Sequence, residues 1–273
     1  MVDAKVRHIS FATADFSDAA RLLRASARRH GIETFIYTDH HPVVAQLRRA
    51  NPVTMSGARG AGHWLWKPAI IRDAMARSAD GTIILYTDVA MQFVAAPNTM
   101  LTCALMHPVV LFEHVNAAAG AADRLMRYWT KRDCFVLLDA DLPEFWDLQQ
   151  LWAGLQVYRN GPESRRFVDA LLAACRDPRI LTDMPNTKGP PDLPGFVAHR
   201  HDQAVLTIIA HRLGAYLLPD PTQWGGPANA ARPFHLHRRR DRGPFSRLRG
   251  RMFGVATGRW AETDITLEPP AAN

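Results

Sequence analysis

The chain has 273 residues, 47% hydrophobic and 22% charged, enough to bury a full core in one large domain or two small ones. Its net charge of +7 is concentrated: Arg238 to Trp260 holds eight arginines against one acid, Asp241, and the remainder sums to neutral, which argues against a globally basic nucleic-acid-binding surface. No apolar run approaches a membrane span and the first residues form no signal-peptide core. Cys103, Cys134 and Cys175 are odd in number and widely spaced, so the reading is a cytoplasmic protein with buried free thiols rather than a disulfide or zinc framework.

Val6 to Phe11 alternates like a half-buried strand. Ser17 caps a helix whose apolar residues recur at helical spacing up to Gly31, and Thr34 to Tyr37 is a second strand. Pro42 to Ala50 reads as a short helix. Pro68 fits the first turn of another, which runs to about Ser78 and is followed by the Asp80-Gly81 turn and the strand Ile83-Ile-Leu-Tyr-Thr. Strand and helix in alternation predict a mostly parallel sheet with helices on both faces.

Between the Pro42–Ala50 helix and the one at Pro68 lies the richest stretch, Gly57-Ala-Arg-Gly-Ala-Gly-His-Trp-Leu-Trp-Lys-Pro68. Glycines let a backbone pass close to a ligand, and Trp64 and Trp66 supply rigid apolar surface with a polar N–H. Lys67 and Arg59 supply positive charge. The following strand ends in Asp88, at the strand end where α/β sheets bind ligands. A glycine-rich aromatic loop followed by a strand-end aspartate reads as a sugar-nucleotide site. The bland alternative is a solvated aspartate in a turn.

Pro108 to Glu113 is a further strand. Thr130 with Asp133 resembles a capping box, so Asp139-Ala-Asp141 reads as helix-end and cap groups rather than as a metal site. Gln150 to Tyr158 is a strand interrupted at Gly154, where something can approach the backbone. Ser164 caps an amphipathic helix through Ala174, and residues 183 to 196 form an ordered loop or lid rich in proline. Asp202 to Leu213 is helical and closed by Gly214, and Ala215 to Leu218 is the last strand. The apolar run after Gln203 anchors this helix and holds the polar group His199-Arg-His-Asp202-Gln203 at a rim, where Asp202 can act as a general base. His235 and His237 alternate in an extended stretch, as a late metal pair or as exposed tail histidines. The division is residues 1–237 as one α/β domain and 238–273 as a basic appendage. The appendage reads as a membrane-surface contact, a solvated arm or, less well, an RNA-binding arm.

Taken together, these residues resemble bacterial glycosyltransferases of the GT-A fold. They are nearest to a group with a Gly-x-Gly-Tyr-Trp-x-Trp-Lys-Pro loop, a Tyr-x-Asp-Ala-Gly strand end and a late His-Arg-x-Asp-Gln-Ser. The counterparts are Gly60 to Pro68, Tyr86 to Ala90, and His199 to Ala204, and the likeness runs over about residues 5 to 240. His63 stands for the tyrosine, Val89-Ala90 for Ala-Gly, and Ala204 for the serine.

The resemblance implies transfer of a sugar from a nucleotide-diphosphate sugar to a hydroxyl of a glycan or lipid-linked acceptor, in bacterial surface or secreted glycan synthesis. It implies a donor site at Arg59, Gly62, Trp64, Trp66, Lys67 and Asp88. His199, His201 and Gln203 would bind the acceptor, and Asp202 would be the catalytic base. A divalent Mn²⁺ or Mg²⁺ at Asp88 and His235 would neutralise the leaving diphosphate, although the absence of a second carboxylate near Asp88 weighs against strong metal dependence. Peripheral contact with the inner face of the membrane would run through the basic tail. The competing reading is a non-catalytic nucleotide-sugar- or carbohydrate-binding protein on the same fold.

Overall fold

The computed structural model describes residues 2–57, 59–114, 124–225, 232–237 and 258–268. The chain opens with β1 (Val2–Phe11), a 3-10 turn at Ala14–Phe16, α1 (Ser17–Arg28), β2 (Thr34–Tyr37), α2 (Pro42–Ala50) and the single turn α3 (Pro52–Met55). A distorted turn, α4 (Gly60–His63), leads into α5 (Trp66–Ala76), β3 (Ile83–Thr87) and the short β4 (Met91–Phe93). Then come α6 (Asn98–Met106), β5 (Val109–Phe112), three short helices α7 (Met126–Trp129), α8 (Arg132–Leu137) and α9 (Pro143–Trp146), and β6 (Leu155–Arg159). The remaining elements are α10 (Pro162–Arg176), α11 (Pro178–Leu181), α12 (Asp202–Leu213), β7 (Tyr216–Leu218), β8 (Phe234–Leu236) and β9 (Thr263–Leu267).

One seven-stranded sheet runs β2-β1-β3-β6-β5-β7, with β9 also paired to β1. β1, β2, β3, β5 and β7 point one way, and β6 and β9 run against them, giving the mostly parallel sheet that the alternation of elements predicted. Side chains alternate between its faces with the period of two that a pleated strand imposes. Ile9, Phe11, Ile84 and Tyr86 pack on one face with residues of α2, α5, α10 and α12. Val6, Ile83 and Leu85 pack on the other with residues of α1 and α6. Because the chain passes from β1 to β2 on one side and returns to β3 on the other, strand order reverses at β1. The carboxyl ends of β1 and β3 therefore flank a crevice of the kind in which open α/β sheets hold ligands.

Several local expectations differ from the structure. Ser17 is the first residue of α1, with Phe16 at the cap position, and the strand expected from Gln150 begins at Leu155. Thr130 does not cap α8: Lys131 is the cap residue, and the Thr130 hydroxyl faces Met126 Sδ. The Asp133 carboxylate turns away from the cap and accepts from Thr187 N–H (2.7 Å), the Thr187 hydroxyl (2.8 Å) and Lys188 N–H (3.0 Å). Lys131 Nζ adds a bond to Met184 O at 2.5 Å, so the proline-rich loop is tied down at its start and middle by buried charge. α10 begins two residues before Ser164, whose Oγ accepts from Gly161 N–H at 3.1 Å from inside the first turn. Asp139 follows the end of α8, as expected, with φ of 49°, whereas Asp141 is not the cap of α9, which is Leu142, and accepts from Arg132 (2.7 Å) and the Trp146 indole (3.0 Å).

Residues 238–257, most of the expected appendage, lie outside the described residues. The end of that stretch belongs to the sheet: β9 pairs antiparallel with β1 from Val2↔Leu267 to Val6↔Thr263. Trp260 lies between two guanidinium groups, Arg7 at 4.1 Å and Arg77 at 3.9 Å from its ring centre, and edge-on to Phe35. Arg7, nearly buried, pairs with Glu262 at 2.8 Å. Among the described residues no helix is long and apolar enough to cross a membrane.

Trp260→Ala is expected to lower the unfolding free energy by about 2–3 kcal/mol, from a lost partly buried indole and two cation–π contacts. A denaturant midpoint equal to that of the parent would show that this stretch is not held to the sheet. Burial opposes ionisation of Asp133, but its bonds to Thr187 and Lys188 outweigh that and hold its carboxyl below the ordinary value. Such a group stabilises fully above the ordinary carboxylate range and loses its contribution as pH falls through the lowered folded value. Tm measured against pH should accordingly show a shallower acid limb in Asp133→Asn than in the parent.

Candidate functional site

The loop between α3 and α5 has an unusual backbone. Residues 60 to 64 all have positive φ: Gly60 59°, Ala61 52°, Gly62 105°, His63 52° and Trp64 59°. That is a left-handed turn, which for non-glycine residues costs roughly 1–2 kcal/mol each. Two of the five positions require glycine for space as well. A Cβ on Gly60 would meet the Trp64 ring at 2.4 Å, and one on Gly62 would meet Met55 Sδ at 2.7 Å. Surrounding contacts fix the turn. The Trp66 indole donates to Gly60 O at 2.8 Å, His63 Nδ1 donates to Thr54 O at 3.0 Å, and Trp64 lies against His201 with ring centres 5.4 Å apart. Arg59 reaches Asp183, at the head of the proline-rich loop, at 3.5 Å.

This turn forms one wall of a cleft of about 750 Å³ at the reversal point of the sheet. Arg59, Gly60, Ala61, Trp64 and Trp66 come from the turn, Asp88, Val89 and Ala90 from the end of β3, and Phe11, Thr13, Asp15 and Phe16 from the end of β1. Phe11 and Trp66 stack at 4.0 Å and 21°, making a continuous aromatic floor. The cleft is thus largely apolar and aromatic, with one cation, two carboxylates and a hydroxyl placed around it, the usual make-up of a small-molecule site.

Behind the aromatic floor lies a buried ionic cluster. Lys67, in the first turn of α5, extends its ammonium to Asp202 Oδ2 at 2.6 Å, Ala153 O at 3.1 Å and Asp88 Oδ1 at 3.6 Å. It also faces the rings of Tyr86 and Trp66 at 5.4 and 5.9 Å. Burial alone would lower the Lys67 pKa, but the two carboxylates outweigh it and hold the group above the ordinary lysine value. Burial pushes the Asp202 carboxyl up to about 6 against the pull of Lys67. The Tyr86 hydroxyl donates to Asp88 at 2.5 Å, and Asp88 N–H donates to Gly154 O at 2.7 Å. The close backbone approach expected at Gly154 is therefore made by the strand end carrying Asp88.

Four of the six expected donor residues, Arg59, Trp64, Trp66 and Asp88, line the cleft. Lys67 lies beneath it, and Gly62 is buried against Met55. Asp202 joins the same cluster through Lys67 but is not part of the cleft wall. His199 and His201 are both buried and off the wall as well. His199 Nε2 donates to Ile180 O at 2.9 Å and Nδ1 accepts from Lys131 N–H at 3.4 Å, so both nitrogens serve the backbone. His201 Nδ1 donates to Leu181 O at 2.8 Å, and burial holds the ring neutral with its pKa lowered to about 4. Gln203 donates to Gln150 at 2.8 Å.

The loop at Thr13, Asp15 and Phe16 did not stand out in the sequence. Its signal was positional, since a polar turn directly follows the first parallel strand.

The residues put forward for a divalent ion do not fit one. Asp88 already accepts from Tyr86 and faces Lys67, and His235 is exposed on β8 opposite Gln92. Among the described residues no group of three His, Cys, Asp or Glu side chains comes together to hold an ion.

No family model matches the chain, and no curated protein matches it. Among solved structures it is similar to the WbbM bifunctional glycosyltransferase in its apo form, with 13% identity and a TM-score of 0.46, over 80% of this chain and 39% of that one. The chain thus spans well under half the length of that neighbour, and a likeness at this level transfers no residue roles.

Replacing Asp202 leaves the Lys67 charge buried with a carbonyl and a more distant carboxylate. Asp202→Asn is expected to cost about 3–5 kcal/mol of stability, the usual cost of breaking one side of a buried pair. Asp139→Asn, at an exposed position away from the cleft, should cost under about 0.5 kcal/mol. Equal denaturant midpoints for the two variants would mean that the Lys67–Asp202 pair does not act as a buried one.

Proposed function

We propose that this protein is a glycosyltransferase that moves a sugar from a nucleotide-diphosphate sugar to an acceptor hydroxyl. The observation that carries the reading is convergence. Trp64 and Trp66, Asp88, and Asp202 come from three separated stretches, each singled out for its own pattern, and Lys67 joins two of them at the carboxyl ends of β1 and β3.

In this reading the aromatic floor and the Thr13–Phe16 loop hold the nucleotide. Arg59 on the wall offsets part of the diphosphate charge, and Lys67 beneath it balances the carboxylates of Asp88 and Asp202 that would otherwise repel the ligand. The acceptor oxygen attacks the anomeric carbon, the bond from that carbon to the diphosphate oxygen breaks, and the acceptor proton passes to a carboxylate. Asp202, with a pKa near 6, has the basicity suited to that transfer near neutral pH. The acceptor belongs to a glycan or lipid-linked class of the kind used in bacterial surface glycans. The protein is cytoplasmic, with peripheral membrane contact through residues 238–257.

One observation favours the second reading, a non-catalytic nucleotide-sugar- or carbohydrate-binding protein. Asp202 is engaged by Lys67 and stands off the cleft wall, which leaves Asp15 and Asp88 as the carboxylates that line the cleft.

A thermal-shift screen of nucleoside diphosphates and their sugars separates these outcomes from no binding at all, since a ligand at a hundredfold excess over Kd stabilises by about 2.7 kcal/mol. Binding is expected, and Trp64→Ala and Asp88→Asn should weaken it at least tenfold while remaining folded. Slow release of sugar to water by the parent, reduced about 10²–10⁴-fold in Asp202→Asn assayed below its unfolding temperature, supports the transferase. Binding without any turnover supports the second reading, and no binding to any member of the screen removes both.

A further inference from the structure

We propose that the Lys67 ammonium is a built-in counter-cation, standing between Asp88 and Asp202 in the place that a divalent ion would otherwise take, so that the site works without recruiting a metal. The part that concerns a diphosphate ligand rests on the reading above; the part that concerns metal exclusion does not.

The partners of the ammonium are all oxygens: Asp202 Oδ2 at 2.6 Å, Ala153 O at 3.1 Å and Asp88 Oδ1 at 3.6 Å. Two carboxylates and a backbone carbonyl are the donor set that hard divalent cations choose. A lysine ammonium fills the same space with three N–H donors and a single charge. It is fixed there by its stem, which leaves the first turn of α5 directly beside Trp66, and by the aromatic faces of Tyr86 and Trp66 above it. Its side chain is only 4% exposed, so a metal ion cannot enter between the carboxylates without displacing a covalently tethered charge. Asp88 nonetheless lines the cleft, so the positive charge lies one carboxylate away from any anionic ligand bound there.

The test is Mn²⁺ binding, followed by the electron-spin signal of free Mn²⁺ and by calorimetry, on the full chain without any nucleotide. The parent is expected to bind Mn²⁺ only at millimolar concentration or above. Lys67→Met, which leaves the two carboxylates facing each other, should bind it at least tenfold more tightly, and the gain should vanish in Lys67→Met combined with Asp88→Asn. A parent that binds Mn²⁺ at micromolar concentration and loses it in Asp88→Asn overturns the proposal. So does a folded Lys67→Met with no gain.

Should Lys67→Met fail to fold, the parent comparison with Asp88→Asn decides. A second arm titrates the parent with UDP and with GDP in EDTA and again in Mn²⁺. Equal affinities are expected, and binding that needs Mn²⁺ overturns the proposal. If neither nucleotide binds, the member of the wider screen that stabilises the protein takes their place; if no member does, the sugar-nucleotide reading fails while the Mn²⁺ comparison still stands or falls on its own.

Discussion

The site depends on a charge that has been taken out of water. A lysine buried alone would lose its proton or unfold its surroundings, because desolvation of an ion costs several kcal/mol. Lys67 is kept by two carboxylates and a carbonyl that arrive from β3, from the segment before β6 and from the start of α12. Each partner constrains an element. Asp202 must sit at the first turn of α12, and the apolar run that follows, with Ala204, Val205, Leu206, Ile208 and Ile209 buried, holds that helix in the core. Asp88 must end β3 where Gly154 O receives its N–H. α10 packs against both α5 and α12, so the cation and its carboxylate partner are carried by helices that share a neighbour.

Above this cluster the backbone is strained. The left-handed turn at residues 60–64 places three non-glycine residues where L-amino acids are disfavoured. Sites that accumulate such conformations are held by their surroundings. Here the holding contacts are directional: the Trp66 indole to Gly60 O, His63 to Thr54 O, and Arg59 to Asp183. The consequence for recognition is rigidity. Trp64 and Trp66 are presented by a backbone with little freedom, so a ligand meets a preformed aromatic surface and pays little ordering entropy.

Much of this was legible. Helix limits at Pro42–Ala50 and Asp202–Leu213 follow from proline, aspartate and glycine at the ends, where backbone chemistry leaves few choices. The aromatic loop and the strand end of β3 could be read as one site because they are close in sequence. The link to Asp202 could not, since nothing local announces a lysine bonding across 135 residues. His199 and His201 looked like rim groups because polarity suggests exposure, yet their nitrogens satisfy carbonyls of α11 inside the fold. Asp133 misled in the same way: a carboxylate at a cap spacing will take three donors from a distant loop in preference to one from its own turn. Trp260 and β9 were hidden by the arginines before them, which dominate any reading based on composition.

The pairing of β1 with β9 also bears on how the molecule comes together. β1 must wait for a strand made much later in the chain, with register partners as far apart as Val2 and Leu267. At the usual 5–20 residues per second of synthesis, that is a delay of roughly 10–50 s, during which half of β1 offers an unpaired edge. Closing so long a loop late also raises contact order, which slows folding. The indole of Trp260, held by Arg7 and Arg77, then fastens this late strand to the sheet, and the unpaired half of β1 stays open to strand-to-strand aggregation until it does.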